Sequence, residues 1–139
     1  MRNNPVRTAG SVFFLIPLGS LAGMALAMVN FQLNVASSVE PGDLRGYIFW
    51  TLAGGAILGG SFACPASVAA YMSASSGKSP GFCAGAAGAA LTLCWLLYAA
   101  VSASGGTSAT WLLPVAAVLT TAAGSWLAWA AVRRSVSRS

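Results

Sequence analysis

Of the 139 residues, 57% are hydrophobic and 6% are charged, with seven Lys and Arg, two Asp and Glu and no His. A soluble domain carries about a quarter of its residues as Asp, Glu, Lys or Arg, so this chain lacks the polar surface to disperse in water. A soluble enzyme, a secreted disulfide scaffold and a disordered tail are excluded, and with no His so are histidine haem ligation and Ser-His-Asp catalysis.

The charges leave three runs without an ionised side chain, residues 8–39, 46–77 and 79–132. A helix needs about 20 apolar residues to cross the hydrocarbon core, so each of the first two runs holds one span. The spacing predicts the first over 12–33. The N-terminus has a competing reading, because Arg2, Arg7, an apolar stretch and Ala25-Leu26-Ala27 together resemble a cleavable signal peptide. The apolar run continues through Met28 and Val29 to a full span length, and retention is expected. Glu40-Pro41-Gly42-Asp43 then reads as a turn, with Asp43 a candidate cap for a second span over 47–72. Ser79-Pro80-Gly81 sets a capping hydroxyl before a first-turn proline and opens a third span over 80–102. The run from 79 is too long for one crossing, and the small polar stretch from Ser102 to Ser108 divides it as a turn. Thr110 is a candidate cap for the fourth span, over 111–132, with Pro114 in its first turns. A β-barrel needs alternating apolar and polar positions, and Leu93-Cys94-Trp95-Leu96-Leu97-Tyr98 shows no alternation. The expected fold is an all-α integral membrane four-helix bundle forming a single domain.

Charge sets the expected orientation. Arg2 and Arg7 precede the first span, Lys78 lies between the second and third, and Arg133, Arg134 and Arg138 follow the fourth; only Arg45 falls on the other side, beside Glu40 and Asp43. By the positive-inside rule both termini are cytoplasmic, in the inner (plasma) membrane of a cell. Aromatic residues fall near both expected interfaces: Phe31, Tyr47, Trp50 and Trp111 outside, and Phe13, Tyr71, Phe82, Trp126 and Trp129 inside.

The strongest pattern is a set of ridges of small residues. Thr51, Gly55, Gly59, Ala63 and Ser67 recur every four residues in the second span; Gly81, Gly85 and Ala89 do so in the third and Ala116, Thr120, Gly124 and Ala128 in the fourth, while Gly19 and Gly23 mark the first. Positions four apart share a helix face, and small residues let backbones approach closely in lipid, where association rests on van der Waals contact and hydrogen bonds. Such ridges pack within the chain, and any in surplus dock a partner.

The other candidates carry less chemistry. Pro65 inside the second span removes a helical hydrogen bond and crowds the Ser61 carbonyl, which predicts a kink and, in a transport reading, an irregular point on a pathway. Asn30 and Asn34, one turn apart near the end of the first span, are expected at the polar interface. No span holds Asp, Glu, Lys, Arg or His, which argues against a proton relay or a pump. Cys64, Cys83 and Cys94 form no Cys-x-x-Cys pair and no metal set. Glu40 and Asp43 read as a solvated turn. The arginine tail is a topology signal within reach of anionic lipid, and without an aromatic platform it does not point to nucleic acid.

The sequence therefore predicts a small membrane protein without catalytic residues, metal or cofactor. Its expected partners are the bilayer and other membrane subunits or copies of itself, as an accessory or structural component. A small permease or passive channel formed by an oligomer is the alternative, and a phage-type, holin-like permeabilising protein a further one.

Overall fold

The computed structural model describes residues 5–34, 36–104 and 112–137. Among them all regular structure is helical: α1 (Pro5–Phe13), α2 (Leu15–Asn34), a short 3-10 turn (Ala36–Ser38), α3 (Leu44–Ser75), α4 (Pro80–Ser104) and α5 (Leu112–Ser137). Four segments are long and apolar enough to cross a membrane: Ala9–Leu33, Leu44–Ser75, Pro80–Val101 and Pro114–Arg134. At 1.5 Å per residue, the 32 residues of α3 exceed the roughly 30 Å of a hydrocarbon core.

The single helix expected over 12–33 is broken at Phe14, and Pro17 is the cause. It has no N–H to donate to the Phe13 carbonyl four residues back, and its ring crowds that carbonyl. The chain restarts at Leu15 with Pro17 in the first turn of α2, where a missing N–H leaves nothing unsatisfied. Pro65, by contrast, sits in an α3 that stays helical on both sides of it. The turn expected from Ser102 begins later, since α4 continues through Ser104. Residues 105–111, with Thr110 and Trp111, lie outside the described residues, as do Arg2 and Arg138.

The connections follow from their residues. The Asp43 amide donates to the Glu40 carbonyl at 3.0 Å, closing the Glu40–Asp43 turn. Asp43 does stand at the cap position of α3, but its carboxylate caps nothing; with a backbone already near helical angles, its side chain is not aimed at the first-turn amides as an extended cap residue would be. Ser79 does cap α4, its Oγ accepting from the Phe82 amide at 3.3 Å. Between α3 and α4, Gly77 adopts a left-handed φ of 72°. Its amide donates to Ala74 O at 3.0 Å and that of Lys78 to Ser73 O at 3.1 Å. These are the two bonds of a Schellman stop, which favours glycine. Gly77→Ala is therefore expected to destabilise the fold by about 1–2 kcal/mol, seen as a lowered midpoint of unfolding in detergent.

The helices pack in chain order: α2 against α3, α3 against α4, α4 against α5, with α1 touching α3 and α5. The core is concentrated at the end that carries α1 and the last turns of α5. Val12 and Leu15 meet Ala66, Ala70 and Ala74 of α3, Cys83, Ala87 and Leu91 of α4, and Ala128 and Val132 of α5. Val12 and Val132 in one cluster bring the beginning and the end of the fold together. Large apolar side chains instead cover the outside: Trp50, Ile57, Leu96 and Val118 are all exposed. Alanine inside and leucine outside is the arrangement that suits a lipid solvent, where outward leucine carries no penalty and inward alanine brings helices close.

Candidate functional site

The ridges on α2 and α3 fill each other. Gly19, Gly23 and Ala27 run along one face of α2 and Gly55, Gly59 and Ala63 along the facing side of α3, in opposite directions. A Cβ built on Gly19 would stand 2.7 Å from the Gly59 carbonyl oxygen, and one on Gly55 would stand 2.5 Å from that of Gly23. The reciprocal positions on Gly23 and Gly59 point at the carbonyls of Gly55 and Gly19. Each of the four glycines thus aims a Cα–H at a carbonyl of the other helix, the geometry of weak Cα–H···O contacts. Ala27 and Ala63 close the two ends of the seam against Gly55 and Gly19. Gly60, one position round, lies over the Ser20 hydroxyl.

The α4–α5 pair uses side chains instead. Gly124 receives the end of the Leu91 side chain, and Gly88 faces Ser125 and Thr121. Trp95 ties the two helices, its Nε1–H donating to Thr120 Oγ1 at 2.8 Å. Thr120 in turn donates to the Ala116 carbonyl at 2.7 Å. Trp95 also meets Phe62 of α3 edge-on at 5.1 Å and Tyr98 at 5.9 Å, so three helices converge on one indole. Sequence reasoning passed over Trp95, although an indole N–H deep in an apolar span demands an acceptor. Thr120→Val should cost about 1 kcal/mol by orphaning that donor, while Thr120→Ser should restore it; both are read in detergent unfolding.

The Gly81 and Gly85 ridge on α4 is treated differently. Both residues are exposed, as is Ala89, and among the described residues a Cβ on either glycine would meet nothing within 4 Å. Of the three Gly-x3-Gly-x3-Ala ridges, two consume each other and the third is open among the described residues.

Ser61 and Pro65 are exposed on the outer face of α3, as is Cys64 between them. Two further span hydroxyls bond to their own helices: Ser67 Oγ donates to Ala63 O at 2.8 Å and Thr92 Oγ1 to Gly88 O at 2.9 Å. Among the described residues no buried side-chain nitrogen or oxygen lacks a partner, and no three His, Cys, Asp or Glu side chains come together. Cys83 is buried and Cys94 half-buried, and neither is in a disulfide. Asn30 is exposed near the end of α2; the side chain of Asn34, its last residue, lies outside the described ones. Of the expected interface aromatics, Tyr47, Trp50, Phe82 and Trp126 are exposed, and Phe13 packs on Tyr71 at 5.8 Å. Phe31 is the exception, buried at 2% exposure and so serving packing within the chain. No protein-family model, curated protein or solved structure matches the chain.

Proposed function

We propose that this chain is a multi-pass membrane protein of the inner (plasma) membrane, both termini cytoplasmic, that acts as a structural or accessory subunit without catalytic residues of its own. It docks a helix of another subunit, or of a second copy, on the Gly81–Gly85–Ala89 face of α4. The observation that carries this reading is the contrast between ridges. The α2 and α3 glycines are in backbone contact, whereas the same pattern on α4 has open space beside it. A helix interior tolerates glycine at a cost of roughly 1 kcal/mol relative to alanine, so a glycine ridge with no neighbour among the described residues is accounted for by a neighbour outside the chain.

The placement of several span polar groups supports packing rather than a passive pathway through the monomer. Ser67, Thr92 and Thr120 donate back to their own helices, and Ser61 and Pro65 lie on the outer surface. The test is the mass and composition of the particle purified from its native membrane in mild detergent. Stoichiometric foreign subunits, or a defined homo-oligomer, are expected, and Gly85→Ile is expected to dissociate either while leaving the helical content unchanged. A wild-type monomer would overturn the reading.

A further inference from the structure

We propose that the end of the bundle carrying both termini binds an anionic phospholipid through its phosphate, held between the α3–α4 turn and the last turns of α5 by Lys78 and Arg133. This rests on the membrane placement proposed above.

Three observations meet there. The first is uncompensated charge. Glu40 and Asp43, the only side-chain carboxylates in the sequence, both lie in the turn before α3. The 32 residues of α3, about 48 Å of helix, separate that turn from Lys78. Lys78 and Arg133 therefore have no side-chain carboxylate of this chain within reach, and the anion that lies at the ends of membrane helices is the lipid phosphate. The second is placement. Cys83 and Ala87 of α4 belong to the same buried cluster as Ala128 and Val132 of α5. Lys78 precedes the first turn of α4 and Arg133 follows Val132 directly, so both cations flank one helix pair at one end.

The third is how the cations are held. Lys78 Nζ stands 5.6 Å over the Phe82 ring and the Arg133 guanidinium 4.9 Å over that of Trp129. A ring face attracts the charge without accepting its N–H bonds in a fixed geometry, so among the described residues both exposed side chains keep donors to spare for phosphate oxygens. Apolar surface continues below them: Met72, Phe82 and Trp126 are all exposed. A free phosphate has no use for that surface, whereas the acyl chains of a lipid cover it.

The test uses the full chain in a neutral maltoside detergent, after confirming that it resists carbonate extraction from membranes. Extraction by carbonate would overturn the membrane placement and this site together. With the protein shown to be integral, phosphatidylglycerol, phosphatidylcholine and inorganic phosphate are added separately, and lipid retention is read by native mass spectrometry and by the unfolding temperature. Retention of phosphatidylglycerol over phosphatidylcholine is expected, falling with added salt, with no effect of inorganic phosphate. Each of Lys78→Gln and Arg133→Gln should weaken retention about fivefold, the loss expected for one basic residue near an anionic surface. Arg45→Gln, at the opposite end, should leave it unchanged. Both variants should unfold like the wild type without lipid, because the side chains they replace are exposed. Equal retention of the two lipids, an equal response to inorganic phosphate, or an equal loss in Arg45→Gln would overturn the proposal while leaving the membrane placement standing.

Discussion

Gly59→Ile is expected to separate α2 from α3 and to destabilise the bundle by more than about 3 kcal/mol, the upper range for overpacking a close contact. The reason is what the new side chain meets. Gly59 is set against the backbone of Gly19 and Gly23, with a Cβ already 3.0 Å from the Gly23 Cα and closer still to the Gly19 carbonyl. Backbone cannot rotate away as a side chain can, so the helices themselves must part. Even Gly59→Ala should cost about 1–3 kcal/mol. Two comparisons separate this contact from a general effect of altering glycine. At Gly124 the obstacle is the end of the Leu91 side chain, which can change rotamer, so Gly124→Ala should cost less than Gly59→Ala. At Gly54 there is nothing within 4 Å, and Gly54→Ala should be neutral or stabilising by about 0.5–1 kcal/mol through helix propensity. Titration of the purified proteins with a denaturing detergent, followed by circular dichroism, ranks the series. A Gly54→Ala variant as unstable as Gly59→Ala would remove the α2–α3 seam from the account.

The second large effect is expected at the alanine seam. Ala70 and Ala87 are both fully buried, in the cluster where α3 meets α4 near the terminus-bearing end. Ala70→Leu forces three further carbons into a contact with no room for them, and should cost about 3 kcal/mol or somewhat less if α3 shifts. Val68→Leu, two residues away on the exposed side of the same helix, adds one carbon to the outer surface and should leave the unfolding midpoint within about 0.5 kcal/mol. Similar losses in both variants would mean that the buried and outward faces of α3 have been assigned wrongly.

The sequence displayed its ridges plainly, because a four-residue spacing is visible without any structure. Which ridge meets which was not visible. Gly19 and Gly59 are on different helices, and nothing local distinguishes their pattern from that of Gly81 and Gly85, so only the tertiary arrangement decides that two are filled and one is open. The break at Phe14 is local and was readable, since Pro17 acts on the carbonyl four residues before it. The Schellman stop at Gly77 was readable too, from a glycine just ahead of Lys78-Ser79-Pro80. The bond from Trp95 to Thr120 spans 25 residues, and the indole announces the need for a partner without naming it. Phe31 shows the converse limit: an aromatic near a span end has the composition of an interface anchor, and only packing reveals that it turns inward. Asp43 occupies a cap position without capping, a matter of side-chain direction that residue type does not settle.

In the proposed role, the chain seals one pair of glycine ridges within itself and offers the third to a partner. The most direct measurement is the particle mass in mild detergent of the wild type beside Gly85→Ile and Gly54→Ile, two exchanges at positions with open space around them among the described residues. An assembly larger than one chain is expected for the wild type and for Gly54→Ile, and a folded monomer for Gly85→Ile. A wild-type monomer, or an assembly that survives Gly85→Ile unchanged, would contradict it.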